Sequence, residues 1–141
     1  TFEPVKAETI ATAIRIGNPV NYEKAKRAIE FTDGYVEAVS DAEILGAKRE
    51  IDRMGIGCEP ASAASLAGLK KLLKKGIIKK SDLVVLILTG SILKDPDTTL
   101  KLHTGGIEGI THENRFFEVN NIGDIEKILK SLSTSDDGGV T

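Results

Sequence analysis

Residues 83–90 read Leu-Val-Val-Leu-Ile-Leu-Thr-Gly, which is six aliphatic side chains followed by a hydroxyl and a glycine. A short run that is apolar on both faces and bounded by turn residues is typical of a strand buried in a parallel sheet. In open α/β sheets, ligands bind beyond the carboxyl ends of the strands. We therefore predict a strand over 83–88 and a ligand-facing position for Thr89 and Gly90.

Thr89 and Gly90 also have a plainer interpretation. A threonine at the end of a strand often hydrogen-bonds its own backbone, and a glycine can serve the close approach of another backbone segment instead of a ligand. These residues alone leave both interpretations open.

Helices and strands alternate along the rest of the chain. Apolar periodicity predicts four helices, over 22–29, 40–54, 61–75 and 122–132. Ser40 and Glu43 have the spacing of a capping box, which marks the start of the second helix. The β-prone residues predict two further strands, at 35–39 and 115–119. We expect 91–114 to form a loop and 133–141 to be a flexible tail.

This alternation predicts the fold class α/β: a partial three-layer domain with a mainly parallel sheet covered by helices on both sides. The core faces should be formed by residues on the second and third helices, namely Ile44, Ala47, Ile51, Met54, Leu66, Leu69, Leu72 and Leu73. Three or four strands are few for a complete domain, and residue 1 is not a methionine. We therefore expect residues 1–132 to be part of a larger domain.

The composition excludes several classes of function. The 141 residues carry 19 basic and 21 acidic side chains, a net charge of −2, which gives no basic surface for nucleic acid or an anionic membrane. One cysteine, Cys58, lies far in sequence from His103 and His112, so the spacing of a metal site is absent. No apolar run approaches the roughly 20 residues that span a bilayer. We expect a cytoplasmic protein.

Three segments together resemble one enzyme family. They are 9–19 (Thr-Ile-Ala-Thr-Ala-Ile-Arg-Ile-Gly-Asn-Pro), 57–64 (Gly-Cys-Glu-Pro-Ala-Ser-Ala-Ala), and 88–90 (Leu-Thr-Gly) with Leu-Lys-Asp-Pro at 93–96. In order and spacing they resemble the C-terminal part of the threonine synthases, pyridoxal-phosphate enzymes of the tryptophan-synthase-like fold (fold type II). The resemblance extends over about residues 4 to 130, and it implies that 1–132 is the C-terminal half of the large cofactor domain.

The resemblance also implies roles for five residues in binding pyridoxal phosphate. The hydroxyl of Thr89 would hydrogen-bond the pyridine nitrogen, and Gly90, the next residue, would also lie at the cofactor. Glu59 would lie by the ring edge. The backbone of Gly17 and Asn18 would approach the active site. A neutral hydroxyl leaves the pyridine nitrogen unprotonated, whereas an aspartate would make the ring a stronger electron sink.

Each of these roles has an alternative. Glu59 precedes the predicted helix at 61–75, where the helix dipole alone stabilises a carboxylate. Gly17 and Asn18 fit an ordinary turn. We interpret Ser62 as a helix-end or packing residue and Cys58 as a small buried hydrophobe.

The resemblance implies that the complete enzyme converts O-phospho-L-homoserine and water to L-threonine and phosphate. The lysine that binds the cofactor is expected outside these 141 residues, so we assign no catalytic residue and no metal ligand to the chain. Its expected partners are the N-terminal remainder of the enzyme, a second copy in a homodimer, and the small-molecule substrate. A serine or threonine dehydratase and a non-catalytic ligand-binding module remain alternatives. Ser91 and Ile92 depart from the family, which usually has His-Gly at these positions.

Overall fold

The protein is described by a computed structural model that covers residues 3–107 and 117–133. In these ranges the regular elements are helical. The helices are α1 (Tyr22–Phe31), α2 (Asp41–Arg53), α3 (Pro60–Lys74), α4 (Pro96–Thr104) and α5 (Ile122–Ser133), with 3₁₀ turns at Thr12–Ile14 and Ile92–Lys94. The four helices predicted from periodicity are confirmed as α1, α2, α3 and α5. Most of the predicted tail, 134–141, lies outside the described residues.

The predicted α/β fold with a mainly parallel sheet is wrong. No residue within 3–107 or 117–133 belongs to a strand, and segments 35–39 and 83–88 have no regular secondary structure. The third predicted strand is not formed at 117–119, and its first two residues lie outside the described ranges. A strand requires ladder hydrogen bonds to a neighbour, and β-prone residues do not supply that neighbour by themselves.

The pattern of burial along 83–88 explains why the prediction of a strand buried on both faces was wrong. Leu83, Val85 and Ile87 are 96%, 81% and 74% exposed, whereas Leu86 and Leu88 are half-buried. This alternation is what an extended backbone produces, because successive side chains point to opposite sides. The described part of the protein covers one side of the run, while the prediction assumed that both sides are covered.

The core lies between α2 and α3, which pack against each other. On α2 the predicted core residues Ile44, Ala47 and Ile51 are buried, but Met54 is 68% exposed because it follows the last turn of the helix. On α3 the buried residues are Pro60 in the first turn and a face of small residues, which are Ser62, Ala63 and Ala67. The four predicted leucines of this helix flank that face: Leu66, Leu69 and Leu72 are half-buried, and Leu73 is exposed. Small residues at a helix contact let the two backbones approach closely, so the leucines lie at its edge.

Helix α2 also carries a buried ion pair. Lys48 and Asp52, one turn apart on α2, have side chains that are 0% and 5% exposed, and their charged atoms are 2.9 Å apart. On the solvent side of the contact between α2 and α3, Lys70 pairs with Glu50 and Lys75 with Glu37. These outer pairs are partly exposed, so we expect each to contribute little to stability.

Helix α2 begins with the predicted capping box. The Glu43 N–H donates to the Ser40 hydroxyl at 3.3 Å, and the Ser40 N–H donates to the Glu43 carboxylate at 2.7 Å. In the same turn Asp41 accepts hydrogen bonds from the Thr9 hydroxyl and the Ile10 N–H. The start of α2 therefore anchors the segment that brings Ala11 into the core.

Helix α4 lies within 91–114, the segment predicted to form a loop. Asp95 caps it by accepting from the Thr98 N–H at 3.0 Å, and Pro96 takes the first helical position. Gly105 ends the helix with a φ of 77°, in the left-handed region that favours glycine. Leu102 is its buried residue. The loop prediction for 91–114 is thus wrong over Pro96–Thr104.

Helices α1 and α5 contain no buried residue, and the Phe31 side chain at the end of α1 is 92% exposed. Within the described ranges, no helix combines the length and the apolarity that crossing a membrane requires.

We predict that Ser40→Ala lowers the free energy of unfolding by about 0.5–2 kcal/mol, because the first N–H groups of α2 lose their acceptor. Denaturant titration of both proteins measures the difference. Ser133→Ala, at the end of α5, is the matched control. Its hydroxyl bonds the Lys130 carbonyl within its own helix, so its loss should change stability by much less. Equal effects of the two changes would contradict the assigned cap.

We also predict a pH dependence at this cap. Hydrogen bonds from the Ser40 N–H and hydroxyl, and then from Lys71, lower the pKa of Glu43 below its ordinary value of 4.5. A depressed folded-state pKa stabilises the fold above the unfolded value, and this stabilisation is lost as pH falls through the folded-state pKa. Glu43→Gln should therefore be less stable than the wild type at pH 7, and the difference should close in acid. Glu126→Gln on α5 is the control, and a gap for Glu43→Gln that does not change with pH would contradict the prediction.

Candidate functional site

The backbone of Gly90 meets the start of α3. Its N–H donates to the Ser62 hydroxyl at 2.8 Å, and its carbonyl accepts from the Glu59 N–H at 3.1 Å. Both groups of Gly90 are thus satisfied by residues from one end of one helix. The turn that ends the apolar run is fixed in position although the run itself belongs to no sheet.

Glu59 lies directly against Gly90. Its residue is 6% exposed, and a Cβ atom placed on Gly90 would overlap the Glu59 carboxylate. Although Glu59 is the N-cap residue of α3, its side chain makes no capping hydrogen bond. A side chain at position 90 would therefore have to displace the Glu59 side chain, whose carboxylate is directed toward the Thr89–Gly90 turn.

The hydroxyl of Thr89 lies within hydrogen-bond distance of the Ser62 hydroxyl. Thr89 is exposed, Ser62 is 2% exposed, and their hydroxyl oxygens are 3.2 Å apart. The Ser62 oxygen already accepts from the Gly90 N–H. Its single proton can be donated either to the Gly90 carbonyl at 3.4 Å or to Thr89, and the second arrangement is the one relevant to a ligand. In that arrangement the proton of Thr89 is free to point outward, toward a ligand with a neutral acceptor atom.

Ser62 is the residue of this group that the sequence analysis missed, since it was interpreted as a helix-end or packing residue. Its position in the first turn of α3, three residues after Glu59, is the signal that could have identified it. A hydroxyl at this point can reach whatever backbone packs against the start of the helix.

Gly17 and Asn18 are not brought into this group. The carbonyl of Gly17 accepts from the Val5 N–H at 3.0 Å, and a side chain at position 17 would overlap the Val5 carbonyl. Asn18 is exposed, and among the described residues no hydrogen bond joins either position to Glu59, Thr89 or Gly90. The close approach of two backbone segments is sufficient reason for a glycine at position 17.

Cys58 lies behind the group in the core. It is 0% exposed, and burial raises the pKa of its thiol. A thiol in this state is a poor nucleophile, which agrees with its interpretation as a small buried hydrophobe. Over 3–107 and 117–133, no cluster of three or more His, Cys, Asp or Glu side chains is arranged to hold a metal ion.

The group Glu59, Ser62, Thr89 and Gly90 is called the turn site below. It offers the hydroxyl of an exposed threonine, a buried serine hydroxyl 3.2 Å from it, and a carboxylate packed against the neighbouring glycine. Such an arrangement can donate a hydrogen bond to a neutral acceptor atom in a ligand ring without protonating that atom.

Comparison with known proteins relates this chain to one enzyme family. Residues 1–90 match the family described as pyridoxal-phosphate dependent enzyme. A threonine synthase of Methanosarcina acetivorans is 56% identical over 94 residues, which are 66% of this chain and 23% of that protein. The threonine synthase of Methanocaldococcus jannaschii is 58% identical over 95 residues, 67% of this chain and 24% of that protein.

A threonine synthase of Bacillus sp. (strain ULM1) is 46% identical over 107 residues, 75% of this chain and 30% of that protein. The chain thus matches between 23% and 30% of the length of these relatives.

We predict that Gly90→Ala disrupts the turn site, because the added methyl group overlaps the Glu59 carboxylate. Overpacking of this kind costs about 1–3 kcal/mol of stability, which a denaturant titration can measure. Gly68→Ala on α3 is the matched control, since nothing lies within 4 Å of a Cβ atom placed there. It should leave stability unchanged or raise it by about 0.5–1 kcal/mol. A Gly90→Ala protein as stable as the wild type would contradict the contact.

Proposed function

The chain belongs to the family of pyridoxal-phosphate dependent enzymes, and from that membership we propose that it is part of a threonine synthase. In this proposal the complete enzyme converts O-phospho-L-homoserine and water to L-threonine and phosphate. Residues 1–132 belong to its cofactor domain, and the lysine that binds the cofactor lies in another part of the enzyme. The support from relatives is their printed name and an identity of 46–58% over two thirds to three quarters of this chain.

One observation supports the proposal from the structure: the hydroxyl of the exposed residue Thr89 lies 3.2 Å from that of Ser62, and the Glu59 carboxylate lies against the adjacent Gly90. Pyridoxal phosphate presents a pyridine nitrogen, which accepts a hydrogen bond when it is neutral. A hydroxyl whose proton points outward fits that acceptor, and the Glu59 carboxylate lies next to it against Gly90. The residues present therefore fit this part of the cofactor.

When bound, pyridoxal phosphate supplies an electron sink for the substrate carbanion. The chain's own residues act on the ring. Thr89 would donate to the ring nitrogen without protonating it, Ser62 would hydrogen-bond the Thr89 hydroxyl from the protein side, and the Glu59 side chain would lie beside the ring edge. A neutral ring nitrogen limits the strength of the sink, which suits elimination and replacement reactions better than transamination.

Gly17 and Asn18 enter the proposal with a smaller role. Their backbone would face the cofactor from the turn after the 3₁₀ element at Thr12–Ile14. The partners in the proposal are the N-terminal remainder of the enzyme, the substrate O-phosphohomoserine, and a second copy in a homodimer. We place the enzyme in the cytoplasm.

We predict that the full-length protein, loaded with pyridoxal phosphate, releases phosphate from O-phosphohomoserine, and that Thr89→Ala reduces kcat by about 2–10-fold. This range corresponds to the loss of one hydrogen bond of about 0.5–1.5 kcal/mol. Thr89→Ser keeps the hydroxyl and should retain most of the activity. Thr104→Ala is the matched control, because that hydroxyl bonds the Leu100 carbonyl within α4, away from the turn site.

The products distinguish this proposal from its alternatives. A dehydratase would release ammonia and a 2-oxo acid from serine or threonine and no phosphate from phosphohomoserine. A non-catalytic ligand-binding module would bind pyridoxal phosphate through this chain alone and convert neither substrate. If Thr89→Ala were as active as the wild type, with the same division between products, Thr89 would only be a cap of its own segment.

A further inference from the structure

A charged cluster behind the turn site has no role in the proposed function. Lys48, which is 0% exposed, donates to both carboxylate oxygens of Asp52, at 2.9 and 3.3 Å, and to the carbonyl of Cys58 at 2.7 Å. Asp52 lies on α2 with Lys48, and Cys58 lies on the loop that joins α2 to α3.

Stability does not explain why the core contains this pair. Burying an ammonium and a carboxylate costs desolvation energy that their attraction often fails to recover, and apolar side chains of similar volume serve a core as well or better. What an apolar pair could not supply is the third hydrogen bond of Lys48, which fixes the Cys58 carbonyl.

That carbonyl belongs to the same planar peptide group as the N–H of Glu59. Lys48 holds the oxygen end of this group, and the Gly90 carbonyl accepts from its N–H end at 3.1 Å. The peptide plane between Cys58 and Glu59 is therefore fixed from two opposite sides. A cation on the oxygen also polarises the peptide group and strengthens its N–H as a donor.

We propose that Lys48 is a positioning residue of the turn site, acting through the Cys58–Glu59 peptide group on Glu59 and on the Thr89–Gly90 turn. The identity of the ligand at that site rests on the proposed function, but the positioning itself does not. Asp52 fixes the ammonium group of Lys48, and it also lies 3.2 Å from the ring Nε2 of His103. Helix α4 is thereby joined to the same cluster.

The first test measures position without activity. Lys48→Met in the full-length protein should raise the rate at which a thiol reagent labels Cys58 about tenfold or more, as read by mass spectrometry of the Cys58 peptide. Lys70→Met is the matched control, since Lys70 also joins α3 to a carboxylate of α2 but lies at the surface. It should leave the labelling rate unchanged.

A second variant keeps the test decisive if Lys48→Met fails to fold, because that change leaves the Asp52 charge buried and unpaired. The double change Lys48→Met with Asp52→Leu removes both charges and still lacks the hydrogen bond to the Cys58 carbonyl. It should fold, as shown by circular dichroism, and it should label at Cys58 as fast as the single variant.

A double-mutant cycle with Glu59 connects position to function. If Lys48 acts through Glu59, the losses in kcat from Lys48→Met and Glu59→Gln should be non-additive by about tenfold, while Lys70→Met and Glu59→Gln should combine additively. The absorbance of the bound cofactor should shift in the same direction in Lys48→Met and Glu59→Gln. A purely structural role of Lys48 would not produce either result.

The outcomes separate this proposal from the function itself. A wild-type enzyme that releases no phosphate would refute the proposed function, while unchanged labelling of Cys58 in the folded variants would still overturn the positioning role. An active wild type with unchanged Cys58 labelling in both folded variants, or with additive effects of Lys48 and Glu59, would overturn the positioning role alone.

Discussion

The contact between Gly90 and the start of α3 is the constraint on which the candidate site depends. The Gly90 N–H donates to the Ser62 hydroxyl, and the Gly90 carbonyl accepts from the Glu59 N–H. The Glu59 carboxylate packs where a side chain of residue 90 would lie. Without this contact the Thr89 hydroxyl would end a run of exposed aliphatic residues with nothing to orient it. Because of this contact, a segment without regular secondary structure keeps the Thr89 hydroxyl against the first turn of helix α3.

The sequence predicted the helices well because their signals are local. The capping residues Ser40 and Glu43, the apolar period of α2 and the glycine after α3 all act within a few residues of each other. Helix α4 had equally local signals, with Asp95 and Pro96 at its start and Gly105 at its end. It was missed because the glycine- and threonine-rich segment around it was interpreted as a loop, and only Leu102 of this helix is buried.

The other errors concern partners that lie far away in sequence. The apolar residues at 83–88 indicate a preference for extended backbone, but whether a ladder forms depends on what lies beside it, and composition does not specify that. The same limit applies to the site. Glu59, Thr89 and Gly90 were predicted and do meet, whereas Ser62 was missed, because its role depends on a residue 28 positions away. Gly17 was assigned to a ligand, and the structure shows Val5 as a sufficient reason for that glycine.

The spacing of these contacts has a consequence for the order of assembly. Helices α2 and α3 follow each other closely, so their packing requires the closure of only a short loop. Joining Gly90 to Ser62 closes a loop of 28 residues, and loop closure costs more entropy as the loop lengthens. During folding the helical hairpin should therefore form first and act as a template, and the segment that carries Thr89 should dock on it in a later step.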